Sequence, residues 1–300
     1  MFGQDLDLNG HRFRIELVPA GSGSGSAVSV WASASGGEPL PETDPAAVLL
    51  RSALIGHADL VRSEMIEPDQ GRPAEDTERH VLGCLPDGTP SEQRAAAVAD
   101  ARRRLARLLA PAAEVAAGAR EVPEGCVNLL WWDERANFGD AVGPWLVRRL
   151  TGLTPVNGWR RSLSVPPLVT VGSTAGWLEQ DGTRVWGAGL MAPLAPDTVT
   201  RLAQLRGIRI DAVRGELTAA QLRSQLGWTV PEVYGDPALL LPRFLTVPDG
   251  QPSQGRVAVL PHLDHRGIFG NPAASRSAAR RGSSANRWSG PRRMPVPGAR

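Results

Sequence analysis

Cys126-Val127-Asn128-Leu129-Leu130-Trp131-Trp132, followed after a polar turn by Asn137-Phe138-Gly139-Asp140, is the stretch that decides the fold. A nearly continuous apolar run of this length fits a strand buried on both faces, as in a parallel sheet covered by helices. The pattern then repeats. A helix is predicted from Asp140 to Leu150, closed by Thr151-Gly152. Pro167 to Val171 gives a second strand ending at Gly172-Ser173, and Val185-Trp186-Gly187 a short third one. Asp197 to Arg206 predicts a helix stopped by Gly207. Ile208 to Val213 is a strand, Glu216 to Leu226 a helix ending at Gly227, and Val233-Tyr234 another short strand. Strands alternating with helices through short glycine-bearing turns indicate a parallel α/β sheet. Ligands bind such sheets outside the carboxyl ends of the strands.

The preceding region reads differently. Phe13, Ile15 and Leu17 alternate with charged residues, the period of a half-buried strand. Gly21 to Ser26 is a flexible loop, and Val28, Val30 and Ala32 suggest a returning strand and hence a hairpin. From Asp44 to about Met65 the apolar spacing suits an amphipathic helix, with a polar, proline-containing stretch up to Pro90. Thr89-Pro90-Ser91-Glu92 resembles a capping box opening a helix to about Leu109, interrupted at Pro111. The expected division is a small α+β region over 1–122, a parallel α/β domain over 123–255, and the start of a further domain with a basic tail over 256–300.

With 42% hydrophobic and 21% charged residues, the chain sits near the soluble globular average. No run reaches the roughly 18 apolar residues of a spanning helix. The start lacks a basic segment leading into an apolar one, so no signal peptide is expected and a cytoplasmic location is. Cys84 and Cys126 have neither metal-ligand spacing nor a disulfide-scaffold pattern. All 33 cations are arginines, a bias expected of a GC-rich, bacterial coding sequence. The net charge of +2 conceals a division, because Arg266 to Arg300 holds eight arginines and no acid. The remainder has 25 arginines against 31 acids, a net of −6. Such a body offers no basic face to phosphates, which argues against a nucleic-acid partner.

The residues after each strand are the candidate site. Gly139 permits a tight turn or a close approach to a ligand, and Asp140 occupies the expected N-cap position. Asn137 to Asp140 thus reads either as a plain capped helix start or as an anion- and hydroxyl-binding loop. Gly172-Ser173 and Gly187-Ala188-Gly189 end strands but form no dinucleotide fingerprint, which disfavours an NAD enzyme. Arg214, at the end of a buried strand, suits a bidentate clamp on a carboxylate or phosphate. Its structural alternative is an ion pair with Glu216 or Asp211. Asp236, before Pro237, either bonds a ligand or caps the following Ala238-Leu239-Leu240 turn. His262 closes a further apolar strand over Arg256 to Pro261 and reads as either a ligand-binding or a packing residue.

Taken in order, Asn137-Phe138-Gly139-Asp140, the helix through Leu150, Val171-Gly172-Ser173, Val185 to Gly189, Val213-Arg214-Gly215-Glu216-Leu217-Thr218, Gly235-Asp236-Pro237-Ala238-Leu239-Leu240 and Val257 to His262 resemble the polysaccharide pyruvyl transferase family. The resemblance covers somewhat under half the chain. It implies a Rossmann-like sheet that forms the first half of a glycosyltransferase-B-like architecture. It also implies transfer of the enolpyruvyl unit of phosphoenolpyruvate to sugar hydroxyls of a cell-envelope polysaccharide or lipid-linked precursor, with no cofactor or metal. Arg214 would help bind phosphoenolpyruvate, and Asp140 with its loop would line the acceptor side. The family's second domain supplies an Arg-x-His-Gly-type motif that this chain lacks. After Arg266 the composition fits either a frameshifted or truncated second domain, the favoured reading, or a natural basic tail. Impaired transfer by this chain is therefore expected. The rival expectations are a nucleotide-sugar glycosyltransferase of the same architecture and a catalytically inactive binding module.

Overall fold

The first strands are joined by Asn9-Gly10, whose backbone takes positive φ at both positions (48° and 84°), the twist that suits a two-residue hairpin. The computed structural model describes residues 3–20, 25–57, 62–66, 77–134 and 137–245, with 62–66 and 77 described by backbone. Strands β1 (Gly3–Leu8), β2 (His11–Pro19), β3 (Ser26–Ala32), β4 (Arg62–Ile66) and β5 (Thr77–Leu85) form an antiparallel sheet in the order β1-β2-β3-β5-β4. Phe13 and Ile15 point into its core as the alternation requires, with Val28 and Val30 beside them. Helices α1 (Pro45–Ile55) and α2 (Ser91–Ala116) cover that face through Leu49, Leu50, Leu105 and Leu109.

Four expectations for this region are corrected. Helix α1 begins as expected, with the Asp44 carboxylate accepting from the Ala46 amide, but it stops at Ile55 before Gly56, and 62–66 is a strand. The polar stretch before Pro90 contains β5, whose buried face carries Glu78 and His80. No capping box forms: the helix α2 N-terminus has no side-chain cap, and Thr89 Oγ1 donates instead to the Pro86 carbonyl at 2.7 Å. Helix α2 also continues through Pro111 to Ala116, because Leu105, Leu109, Ala113 and Val115 bury one stripe on both sides of the proline. That burial outweighs the lost backbone hydrogen bond.

The second sheet is α/β and wholly parallel, with the order β10-β9-β8-β6-β7. Its elements are β6 (Cys126–Leu130), α3 (Phe138–Thr151), β7 (Thr154–Asn157), β8 (Leu168–Val169), β9 (Arg184–Trp186), α4 (Pro196–Leu202), β10 (Arg209–Ala212) and α5 (Glu216–Leu226). Strand β7 was not expected. Leu129, Leu130, Val169 and Val185 form the sheet's interior, and left-handed glycines at 152 and 227 close α3 and α5. Val233-Tyr234 contributes a single parallel bridge, Val213 to Tyr234. The chain leaves β6 for β7 on one side, then crosses to β8 on the other. That reversal opens a crevice between the carboxyl ends of β6 and β8, the usual ligand position in open α/β sheets. Both sheets belong to one compact unit. The predicted strand over 256–261, His262 and the basic tail lie outside the described residues.

Candidate functional site

Asn137 begins α3 and is its N-cap, with Oδ1 accepting from the Gly139 amide at 3.0 Å. Asp140 is therefore the third helical residue and not the cap expected from the sequence. Asn137 claims that role because its extended backbone places its short amide over the first turn. Its Nδ2 donates to Asp140 Oδ2 at 2.5 Å, fixing the carboxylate. Burial pushes the Asp140 carboxyl from 3.8 up to about 6, against the lowering effect of the Asn137 hydrogen bond. A carboxylate with such a value is a stronger base than an ordinary aspartate while staying largely ionised at neutral pH.

Gly172 faces Asp140 across the crevice. Its φ is 106°, and a Cβ there would sit 3.4 Å from Asp140 Oδ1. Glycine thus provides both the turn and the room at this point. Next to it, Ser173 Oγ accepts from Arg214 Nη1 at 2.9 Å, while Arg214 Nη2 donates to the Leu190 carbonyl at 2.7 Å. The guanidinium lies directly over Gly189, where a Cβ would come within 2.4 Å of Nε. The Arg214 amide donates to the Ala188 carbonyl at 3.1 Å. Three strand ends therefore converge on one cation. Neither ion pair considered for it is present among the described residues. Asp211 instead pairs with Arg184, and with Arg209 at 3.1 Å, and these contacts hold its carboxyl below the usual range. Among the described residues the guanidinium is anchored by neutral oxygens and has no carboxylate in ion-pair range. Beside it, α5 starts at Gly215 without a side-chain cap, so its first amides also point positive charge outward.

Asp236 caps the 3-10 helix Pro237–Arg243, with Oδ1 accepting from the Ala238 amide at 2.9 Å. Gly187, with φ 87°, lets Pro237 pack against the end of β9, since a Cβ there would be 2.3 Å from Pro237 Cδ. The structure thus brings Asn137, Gly139 and Asp140 together with Gly172, and links Ser173 to Arg214.

Two residues after strand ends were missed. Asp133 follows β6, and Asn157 ends β7. Asn157 Nδ2 donates to Asp133 Oδ2 at 2.8 Å and to the Trp131 carbonyl at 3.0 Å. Burial pushes the Asp133 carboxyl above its usual range, against that hydrogen bond and the nearby Arg161. Asp133 was readable as a polar residue just past a buried strand; Asn157 required knowing that β7 exists. Among the described residues no cluster of His, Cys, Asp and Glu could hold a metal ion, and no helix is long and apolar enough to cross a membrane. Comparison with protein families, curated proteins and solved structures finds no match to this chain.

Proposed function

We propose that the parallel α/β region is the donor-binding half of a pyruvyl transferase, which moves the enolpyruvyl unit of phosphoenolpyruvate onto saccharide hydroxyls. The observation that carries this reading is Arg214, held by Ser173 Oγ and the Leu190 carbonyl with no carboxylate partner among the described residues. A guanidinium positioned by neutral acceptors retains its attraction for an external carboxylate or phosphate, and its planar fork matches either. The uncapped α5 N-terminus adds amide donors on the same side.

In this reading a sugar hydroxyl adds to C2 of phosphoenolpyruvate while the C3 methylene gains a proton. A second hydroxyl then displaces inorganic phosphate and closes the ketal. Asp140, across the crevice and raised to about 6, orients the attacking hydroxyl and takes its proton. The sheet would form the first half of a glycosyltransferase-B-like architecture, and the acceptor would be a cell-envelope polysaccharide or its lipid-linked precursor. The sequence resemblance supports the same assignment. Parallel calorimetric titrations with phosphoenolpyruvate and UDP-glucose test it. Saturable binding of phosphoenolpyruvate, with no binding of UDP-glucose, is expected. The reverse result would replace pyruvyl transfer with nucleotide-sugar chemistry, and binding of neither would remove the donor site altogether.

A further inference from the structure

A cavity of about 460 Å³ lies where the carboxyl ends of β6 and β7 meet the amino-terminal region, and none of the residues that hold Arg214 line it. Its volume falls within the roughly 300–1,000 Å³ typical of small-molecule sites. Polar groups line it on both sides. His11, Thr43 and Ser52 come from the amino-terminal region, and Asp133, Asn157 and Arg161 from the ends of the parallel strands.

Two opposite charges stand in this cavity on neutral supports. The Asp133 carboxylate accepts from Asn157 Nδ2 at 2.8 Å and from the Ser52 hydroxyl. Arg161 Nη1 donates to the Asn157 carbonyl at 2.9 Å, and the rest of its fork makes no hydrogen bond among the described residues. The neighbouring charges are already matched. Arg51 pairs with Glu78 at 2.9 Å, and Arg160 pairs with Glu134 at 2.9 Å while lying 4.2 Å from the Trp159 ring centroid. Among the described residues Asp133 and Arg161 form no ion pair, with each other or with a third group. Arg161 is nonetheless close enough to favour the ionised Asp133 carboxyl against the opposing effect of burial. One residue positions both charges: Asn157, 4% exposed, holds the acid through its side chain and the cation through its backbone. That side chain is itself locked, donating to the Trp131 carbonyl and accepting from the Trp159 amide, each at 3.0 Å.

We propose that this cavity binds a free α-amino acid, its ammonium on Asp133 and its carboxylate on Arg161. Charges withdrawn from water are ordinarily paired, and a ligand with one charge of each sign pairs both at once. A simple anion would face Asp133, and a simple cation Arg161, so neither matches the whole site. In a zwitterion the two charges are likewise held apart, by the α-carbon. The Arg161 fork suits a planar carboxylate, and the ammonium hydrogens suit the Asp133 oxygens. The amino-terminal region thereby gains a role, closing one side of the pocket. Pyruvyl transfer uses neither Asp133 nor Arg161, so the assignment stands independently of that reading.

The test is calorimetric titration of the full chain with the proteinogenic L-amino acids, one at a time. At least one should bind saturably. Its decarboxylated amine and its deaminated acid should each bind about tenfold more weakly or worse, since each lacks one charge-assisted contact. Asp133→Asn keeps the shape and an acceptor for Asn157 Nδ2, while Arg161→Ala truncates an exposed side chain. Each should lower the affinity about tenfold or more. Arg161→Ala should melt near wild type, so this variant reads the carboxylate end even if Asp133→Asn folds poorly. Lack of saturable binding by every amino acid, equal affinity for either analogue, or undiminished affinity in either folded variant would overturn the proposal.

Discussion

Replacing Asp140 by asparagine keeps the size of the side chain and removes its ability to ionise. The carboxyl is raised from 3.8 to about 6 by burial. A shift of that size corresponds to about 3 kcal/mol, and partial solvent exposure reduces it to on the order of 1–2 kcal/mol. The sign follows from the direction. Because the folded value lies above the unfolded one, the native chain holds the extra proton between pH 3.8 and about 6. The associated stability is full below that window, declines as pH rises through about 6, and is constant above it. One effect opposes the substitution: at the third residue of α3 the ionised carboxylate gains about 0.3–1 kcal/mol from the helix dipole. Asp140→Asn should therefore be more stable than wild type at about pH 7.5 by about 1 kcal/mol, or roughly 2–4 °C in melting temperature for a unit of this size. Near pH 4 the difference should vanish or reverse. Urea titrations of both proteins at the two pH values read the double difference directly. Parallel pH dependence of the two proteins, or a variant less stable at the higher pH, would show Asp140 to be an ordinary solvated carboxylate.

Other substitutions probe the scaffold around the site. Glu78→Gln removes the carboxylate charge from the buried pair with Arg51, 2.9 Å long; because the guanidinium keeps its bonds to the Glu42 and Asp133 carbonyls, a loss of about 1–3 kcal/mol in urea unfolding is expected. Gly187→Ala combines a φ of 87° with a Cβ 2.9 Å from the Gly235 carbonyl oxygen. Backbone cannot move aside cheaply, so a loss of about 2 kcal/mol or more in chemical denaturation is expected. Gly189→Ala meets first the side-chain end of Arg214; shifting it from Ser173 and the Leu190 carbonyl should cost about 1 kcal/mol or more in stability and weaken phosphoenolpyruvate binding, measured by calorimetry.

The parallel sheet was legible in β6 and β8, whose runs are almost wholly apolar, and in the glycines of its turns, whereas β7, half polar over Thr154–Asn157, was not. Strand β5 was not, because Glu78 and His80 occupy its buried face, where an apolar residue would have given the alternation away. Strand β4 and the end of α1 were confused because Leu60 and Val61 extend a helical spacing past Gly56, and spacing alone does not weigh a glycine stop. Pro111 was read as a break because propensity is local, whereas the stripe that holds α2 together is tertiary. At the candidate site, the place of Arg214 at a strand end was legible. Its anchors were not, since Ser173 and Leu190 come from other strands and meet it only in three dimensions. The choice between Asn137 and Asp140 as cap also lay beyond the sequence, because both residue types cap helices well.

In the proposed function Arg214 grips the anionic donor through a bidentate fork. Lysine at this position keeps the charge but cannot reproduce two parallel hydrogen bonds. Calorimetric titration of phosphoenolpyruvate into wild type and Arg214→Lys tests this most directly. Saturable binding by wild type is expected, with an affinity lower by about ten- to a hundred-fold in the variant, the equivalent of roughly 1.5–3 kcal/mol for a charge-assisted hydrogen bond. Equal affinity in the two proteins, or no binding by wild type, would contradict it and leave Arg214 as part of the scaffold that joins β8, β9 and β10.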